Sequence, residues 1–126
     1  MASSHKILIV EDFEDLRNLV SFYLGACGYD VLEVCTGRVA IEIAVIENPK
    51  LILLDLRLPD MNGLEVGREL RKLPQTEHIP IIGWTADCQS KPSEKVWREA
   101  GLTDCVEKPV SMRELEAVID RFVPTP

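Results

Sequence analysis

Short apolar runs alternate with helical stripes along the chain. Lys6-Ile7-Leu8-Ile9-Val10 is a nearly continuous apolar run, the pattern of a strand covered on both faces. Phe13, Leu16, Val20, Tyr23, Leu24 and Cys27 then fall near helical spacing, with Asp12 placed to cap that helix and Gly28 to stop it. Residues 29–35 predict a second strand, and 38–47 a helix ended by Asn48-Pro49. Leu51-Ile52-Leu53-Leu54 is the third apolar run, and Pro59-Asp60-Met61-Asn62-Gly63 has turn chemistry. A helix over 64–73, stopped by Pro74, leads to a strand over 79–84. A short, mostly polar helix over 93–100 closes at Gly101, before a strand over 103–107. Ser111 and Glu114 form a capping box ahead of a last stripe of Met112, Leu115, Val118, Ile119 and Phe122.

Five strand–helix units in alternation imply a parallel sheet covered by helices on both faces. No repeat or linker interrupts them. One domain over 6–123 is expected, between a polar tail (1–5) and a short C-terminal tail (124–126). Ligands of such sheets bind at the carboxyl ends of the strands.

Composition narrows the function classes. The 126 residues, 46% hydrophobic, suffice for a single core. A formal charge of -7, from 14 Lys+Arg against 21 Asp+Glu, repels the phosphate backbone and disfavours nucleic acid as a partner. No apolar run approaches the ~20 residues needed for membrane insertion, and residues 1–5 lack a signal-peptide pattern. Cys27, Cys35, Cys88 and Cys105 show no C-x-x-C spacing, which favours a reduced, cytoplasmic protein.

The candidate chemistry lies at the strand ends. The first strand runs into Glu11-Asp12, the third into Asp55, the fourth into Thr85 and the fifth into Lys108-Pro109. Singly each has a bland account: Asp12 and Thr85 as caps, Glu11 as a solvated strand end, Asp55 as the start of a turn, Lys108 as a surface amine. Together they converge where this architecture binds ligands. One like-charge pair at ~4 Å costs about 4 kcal/mol at an effective dielectric near 20, so the carboxylates call for compensation. Few carboxylates and hard oxygen ligands suit Mg²⁺, and without His or Cys in the cluster zinc is disfavoured. A carboxylate can also be a nucleophile that forms an aspartyl phosphate. The phosphoryl oxygens would then need a metal, an amine and hydroxyl donors. No Walker loop or G-x-G-x-x-G is present, so direct use of a nucleoside triphosphate is not indicated.

These residues resemble the receiver domains of two-component response regulators. The stretches that carry the resemblance are Ile7-Leu8-Ile9-Val10-Glu11-Asp12, residues 53–63, Thr85-Ala86 and Lys108-Pro109, and the likeness runs from about Lys6 to Val123. The resemblance implies a doubly wound, flavodoxin-like α/β fold with five parallel strands in order 2-1-3-4-5. It implies that Asp55 accepts phosphate from a histidine kinase or phosphotransfer protein. Glu11, Asp12, Asp55 and the Arg57 carbonyl would hold Mg²⁺, Thr85 and Lys108 would contact the phosphoryl group, and the Lys108-Pro109 bond would be cis. A downstream protein would read the fourth helix, fifth strand and fifth helix. The low stability expected of the short fourth helix suits a switching element.

The chain departs from the family pattern at Cys105, where receivers usually carry Tyr or Phe; a thiol cannot replace the movement of a ring. In receivers the positions of Arg57 and Asp87 flank the acceptor, and their opposite charges here suggest either a pair across its mouth that restricts water or a screened surface pair. Trp84 is expected in the core on the opposite side from Thr85, near enough to report on the site by fluorescence. Trp97 is either partly buried with Val96 and Ala100 or an exposed anchor for a partner. The leading expectation is a stand-alone phosphorylation switch. The alternatives are a receiver excised from a hybrid kinase or larger regulator, a phosphate-independent interaction module, and a flavodoxin-like electron carrier. The last is opposed by Glu11-Asp12, which would repel a flavin phosphate.

Overall fold

The computed structural model describes residues 5–86, 92–108 and 111–126. Its strands are β1 (Lys6–Val10), β2 (Asp30–Val34), β3 (Leu51–Asp55), β4 (Ile81–Thr85) and β5 (Asp104–Glu107). Its helices are α1 (Glu14–Ala26), α2 (Gly37–Glu47), α3 (Gly63–Lys72), α4 (Glu94–Glu99) and α5 (Met112–Asp120). All strand pairs are parallel, in the order β2-β1-β3-β4-β5. This is the flavodoxin-like topology that the resemblance implies, and strands β1, β3 and β4 are its three inner members.

Burial explains the continuous apolar runs. Every residue of β3 and β4 is buried, because helices cover both faces of the inner strands. Edge strands β2 and β5 are only partly covered. One core layer packs Leu8, Val10, Ile52, Leu54 and Ile81 against Ala40 and Ala44 of α2, Val66 and Leu70 of α3, and Trp97 of α4. The other packs Ile7, Ile9, Leu51, Leu53, Ile82 and Trp84 against Val20 and Leu24 of α1 and Leu115 and Ile119 of α5. Trp84 is therefore core and lies across the sheet from the layer that holds Cys105.

Local chemistry sets the helix ends. Thr36, Asn62, Ser93 and Ser111 each accept a backbone N–H at a helix start, and Ser111 with Glu114 completes the capping box. Gly28, at φ +102°, ends α1 in a conformation side chains disfavour. Pro80 precedes β4 rather than joining it, yet its carbonyl still accepts the Ile52 N–H at 3.0 Å.

Two expectations change and the alternatives for Trp97 are resolved. Asp12 does not cap α1: Phe13 holds the N-cap position, its ring offers no acceptor for a capping bond, and its own N–H goes to the Glu11 carboxylate. Phe13 itself is 60% exposed, since it precedes the helix rather than joining its buried stripe. Trp97 is buried with Ala100, whereas Val96 points outward, so the ring is packing and not a surface anchor. Cys27 and Cys35 are not disulfide-bonded. Among the described residues no helix is long and apolar enough to cross a membrane.

Candidate functional site

Glu11 directly follows β1 and is fixed from several directions. Its N–H donates to Val34 O at 3.1 Å, and its carbonyl accepts from Arg17 Nη1 at 2.9 Å. Oε2 accepts the Phe13 N–H at 3.1 Å, which leaves Oε1 to meet Lys108 Nζ at 2.5 Å. Such anchoring makes a buried carboxylate tenable, since each of its two oxygens gains a donor in place of water.

Asp55 is the last residue of β3, buried where the strand stops. Its Oδ1 accepts the Arg57 N–H at 2.9 Å, while Oδ2 lies 3.4 Å from Lys108 Nζ. The chain then folds back tightly. Arg57 bridges Asn62, and the Gly63 N–H reaches Leu56 O at 3.0 Å. A Cβ on Gly63 would stand 2.6 Å from Asp55 O and 2.7 Å from Leu56 Cα, so only glycine permits this return beside the aspartate. Asp60, in the same loop, accepts the N–H groups of Gly37 at 2.8 Å and Arg38 at 3.0 Å. Those bonds hold its carboxyl below the usual range and tie the loop to the start of α2.

Lys108 arrives from β5. Its N–H donates to Thr85 O at 2.6 Å, extending the β4–β5 pairing by one residue. The carboxylates of Glu11, Asp12 and Asp55 each offer an oxygen within 4.8 Å of the others, Asp12 from an exposed position. Among the described residues, three carboxylates thus gather around one ammonium. The Asp55 carboxyl is pushed up to about 6, chiefly by burial; the Arg57 N–H and Lys108 oppose the rise, and Glu11 adds to it.

The all-oxygen donor set, its surplus of negative charge and its opening through exposed Asp12 fit a hard divalent cation. The fold therefore brings Glu11, Asp12, Asp55 and Lys108 together. Thr85 stands at the same edge, buried, one residue past the register partner of Asp55. Arg57 contributes its N–H from the loop, and its side chain is exposed. Two expectations, the Arg57–Asp87 pair and the cis Lys108-Pro109 bond, involve residues outside the described ones.

One neighbour was not singled out as part of the site. Trp84 pairs in register with Asp55, and Lys108 Nζ lies 5.2 Å from the centre of its ring. The signal was strand parity: a residue preceding Thr85 faces away from it, and so faces with the aspartate of the adjacent strand.

Known proteins are similar to this chain in sequence and fold. Residues 7–120 match the response regulator receiver domain family. The transcriptional regulatory protein SrrA of Staphylococcus aureus is 38% identical over 112 residues, which is 89% of this chain and 45% of that protein. The chain thus spans about half the length of the curated relatives it matches. Among solved structures, the receiver domain of a Pseudomonas aeruginosa sensor histidine kinase, with magnesium coordinated in its active site cleft, is 30% identical. It superposes with a TM-score of 0.86, covering 96% of this chain and 98% of that one. A Vibrio cholerae chemotaxis protein of the CheY type superposes at 0.87 with 28% identity, covering 95% and 99%. With its sheet order and nearly its whole length matched, this chain belongs to the response regulator receiver domains of two-component systems.

Proposed function

We propose that the chain is a phosphorylation-dependent switch in which Asp55 receives a phosphoryl group from a phosphohistidine on a histidine kinase or phosphotransfer protein. Receiver domains as a family are signalling switches with an acidic Mg²⁺ pocket. The observation that carries the reading here is the convergence of Glu11, Asp12, Asp55 and Lys108 at the carboxyl edge of the sheet. In the transfer, an Asp55 oxygen forms a bond to phosphorus as the phosphorus–nitrogen bond breaks. The electron pair returns to the imidazole nitrogen, which takes up a proton. Water later attacks the phosphorus, releasing phosphate and restoring the carboxylate.

Glu11, Asp12, Asp55 and the Arg57 carbonyl would hold Mg²⁺, which when bound offsets negative charge on the transferring group. Lys108 is already within reach of Asp55 and moves from carboxylate to phosphoryl oxygen without crossing solvent. The Arg57 N–H orients the nucleophile, and the Thr85 hydroxyl supplies a further donor at the same edge.

The output surface is proposed on α4, β5 and α5. β5 is an edge strand that ends in Lys108, and α4 and α5 pack on its opposite faces, so a shift of Lys108 reaches both helices. Cys105 is buried beside Gly83 and lacks a ring to reposition, which supports a relay through β5 and α4 backbone instead. Whether the switch acts alone or within a longer regulator is decided by the length of the native gene product.

The test uses phosphoramidate, the smallest donor with a phosphorus–nitrogen bond, in the presence of Mg²⁺. One hydroxylamine-labile phosphoryl adduct on the peptide containing Asp55 is expected. An adduct that maps elsewhere, or that persists in Asp55→Asn, would contradict the proposal. Hydrogen exchange over 92–107 should change with the adduct; identical exchange would argue against the output surface.

A further inference from the structure

We infer that Trp84 is a positioning residue for the site, its indole face holding the Lys108 ammonium against Asp55. The inference rests on the phosphoacceptor reading for its consequence, but the contact itself does not. Trp84 is 3% exposed, and Lys108 Nζ lies 5.2 Å from its ring centre, inside the ~6 Å reach of a cation–π attraction. The sheet enforces the arrangement. Trp84 pairs with Asp55 on one side and Val106 on the other, and Lys108 lies two residues past Val106. Alternation therefore sends Asp55, Trp84 and Lys108 to the same face.

Packing alone is a poor account of this indole. Its Nε1 is buried and finds no hydrogen-bond partner among the described residues. An aliphatic side chain would fill an apolar layer without hiding an unpaired N–H. What the ring adds is a negative face at the point where the Lys108 ammonium stands. Lys108 has a flexible four-carbon stem and three donors, and it is drawn unequally to Glu11 at 2.5 Å and Asp55 at 3.4 Å. A ring beneath it confines the ammonium to an arc between the two carboxylates. Lys108 can then pass from Glu11 to an incoming phosphoryl oxygen while staying over the indole. Trp84 touches no reacting atom; it acts through Lys108.

The experiment has two arms. In the first, the chain is made with 5-fluorotryptophan, and its two ¹⁹F resonances are assigned with Trp84→Phe. Without Mg²⁺ or donor, Lys108→Met should move the Trp84 resonance and leave that of Trp97 in place; an unmoved Trp84 resonance would overturn the contact. In the second, mono- and difluorinated tryptophans weaken the ring face with little change of shape. The Mg²⁺-dependent rate of phosphorylation by acetyl phosphate should fall stepwise, and Trp84→Leu should lose about tenfold. Equal rates across the fluorinated series would overturn the positioning role. If the unsubstituted protein takes up no phosphoryl group, the phosphoacceptor reading fails, and with it this role, while the first arm still decides the contact.

Discussion

At the amino edge of the sheet the Arg71 guanidinium donates to the carbonyls of Gly101 at 2.8 Å, Glu77 at 2.9 Å and Ile79 at 2.7 Å. At the carboxyl edge the Lys108 ammonium faces Glu11 and Asp55, with Asp12 close by. Each edge holds a half-buried cation, and their neighbours make the difference. Arg71 meets neutral carbonyls that need donors, joining the end of α3, the loop after it and the turn before β5. Nearby, the Thr76 hydroxyl donates to Leu70 O at 2.6 Å and the Tyr29 hydroxyl to Val123 O at 2.9 Å. Lys108 meets more negative charge than it can offset. The amino edge is organised for stability, whereas the carboxyl edge keeps an electrostatic deficit that a cation and a phosphoryl group would resolve.

That contrast can be broken most strongly at Lys108. Lys108→Met should lower the rate of phosphorylation by acetyl phosphate about 100-fold, by removing a preorganised positive charge from the transferring group. Quench-flow with mass detection measures it. Arg71→Ala should do the reverse, costing about 3 kcal/mol in urea unfolding because several carbonyls lose their donor together. Its phosphorylation stoichiometry, measured on the folded fraction, should match that of the parent.

The pH response sharpens the comparison. The Asp55 carboxyl is raised from 3.8 to about 6 in the fold, chiefly by burial, so the folded state binds its proton more tightly than the unfolded chain. The associated stability is complete below about pH 4 and is lost as pH rises through about 6. In EDTA, the unfolding free energy should fall by roughly 1–2 kcal/mol between pH 4.5 and 7, after allowance for screening. Asp60 acts in the opposite sense: its carboxyl is depressed by the Gly37 and Arg38 N–H groups, so its contribution is present above about 3.8 and lost as pH falls further. Asp60→Ala should therefore flatten the acid limb of the melting curve below pH 4, the smallest effect in this series.

The sequence showed one edge far better than the other. Continuous apolar runs marked the inner strands because helices cover both their faces, and the residues ending those strands marked the candidate site. Glu11, Asp55 and Lys108 were legible because each directly follows a recognisable run. Arg71 was not, because its partners are backbone carbonyls of two separate segments and carbonyls leave no mark in side-chain sequence. Asp12 looked like a cap because it occupies a plausible position; only the fold shows the helix starting one residue later, with Phe13 as its N-cap and the Phe13 N–H held by Glu11. Trp84 was readable as core, but its meeting with Lys108 depended on the register of three strands.

The most direct test of the contrast is the thermal stability of the parent and Asp55→Asn at pH 7, each with and without Mg²⁺. The variant should be the more stable of the two in EDTA, because it removes a buried charge that lacks full compensation, and Mg²⁺ should raise the melting temperature of the parent alone. A variant less stable than the parent in EDTA, or an equal Mg²⁺ shift in both, would contradict the view that the carboxyl edge holds unbalanced charge for a cation at Asp55.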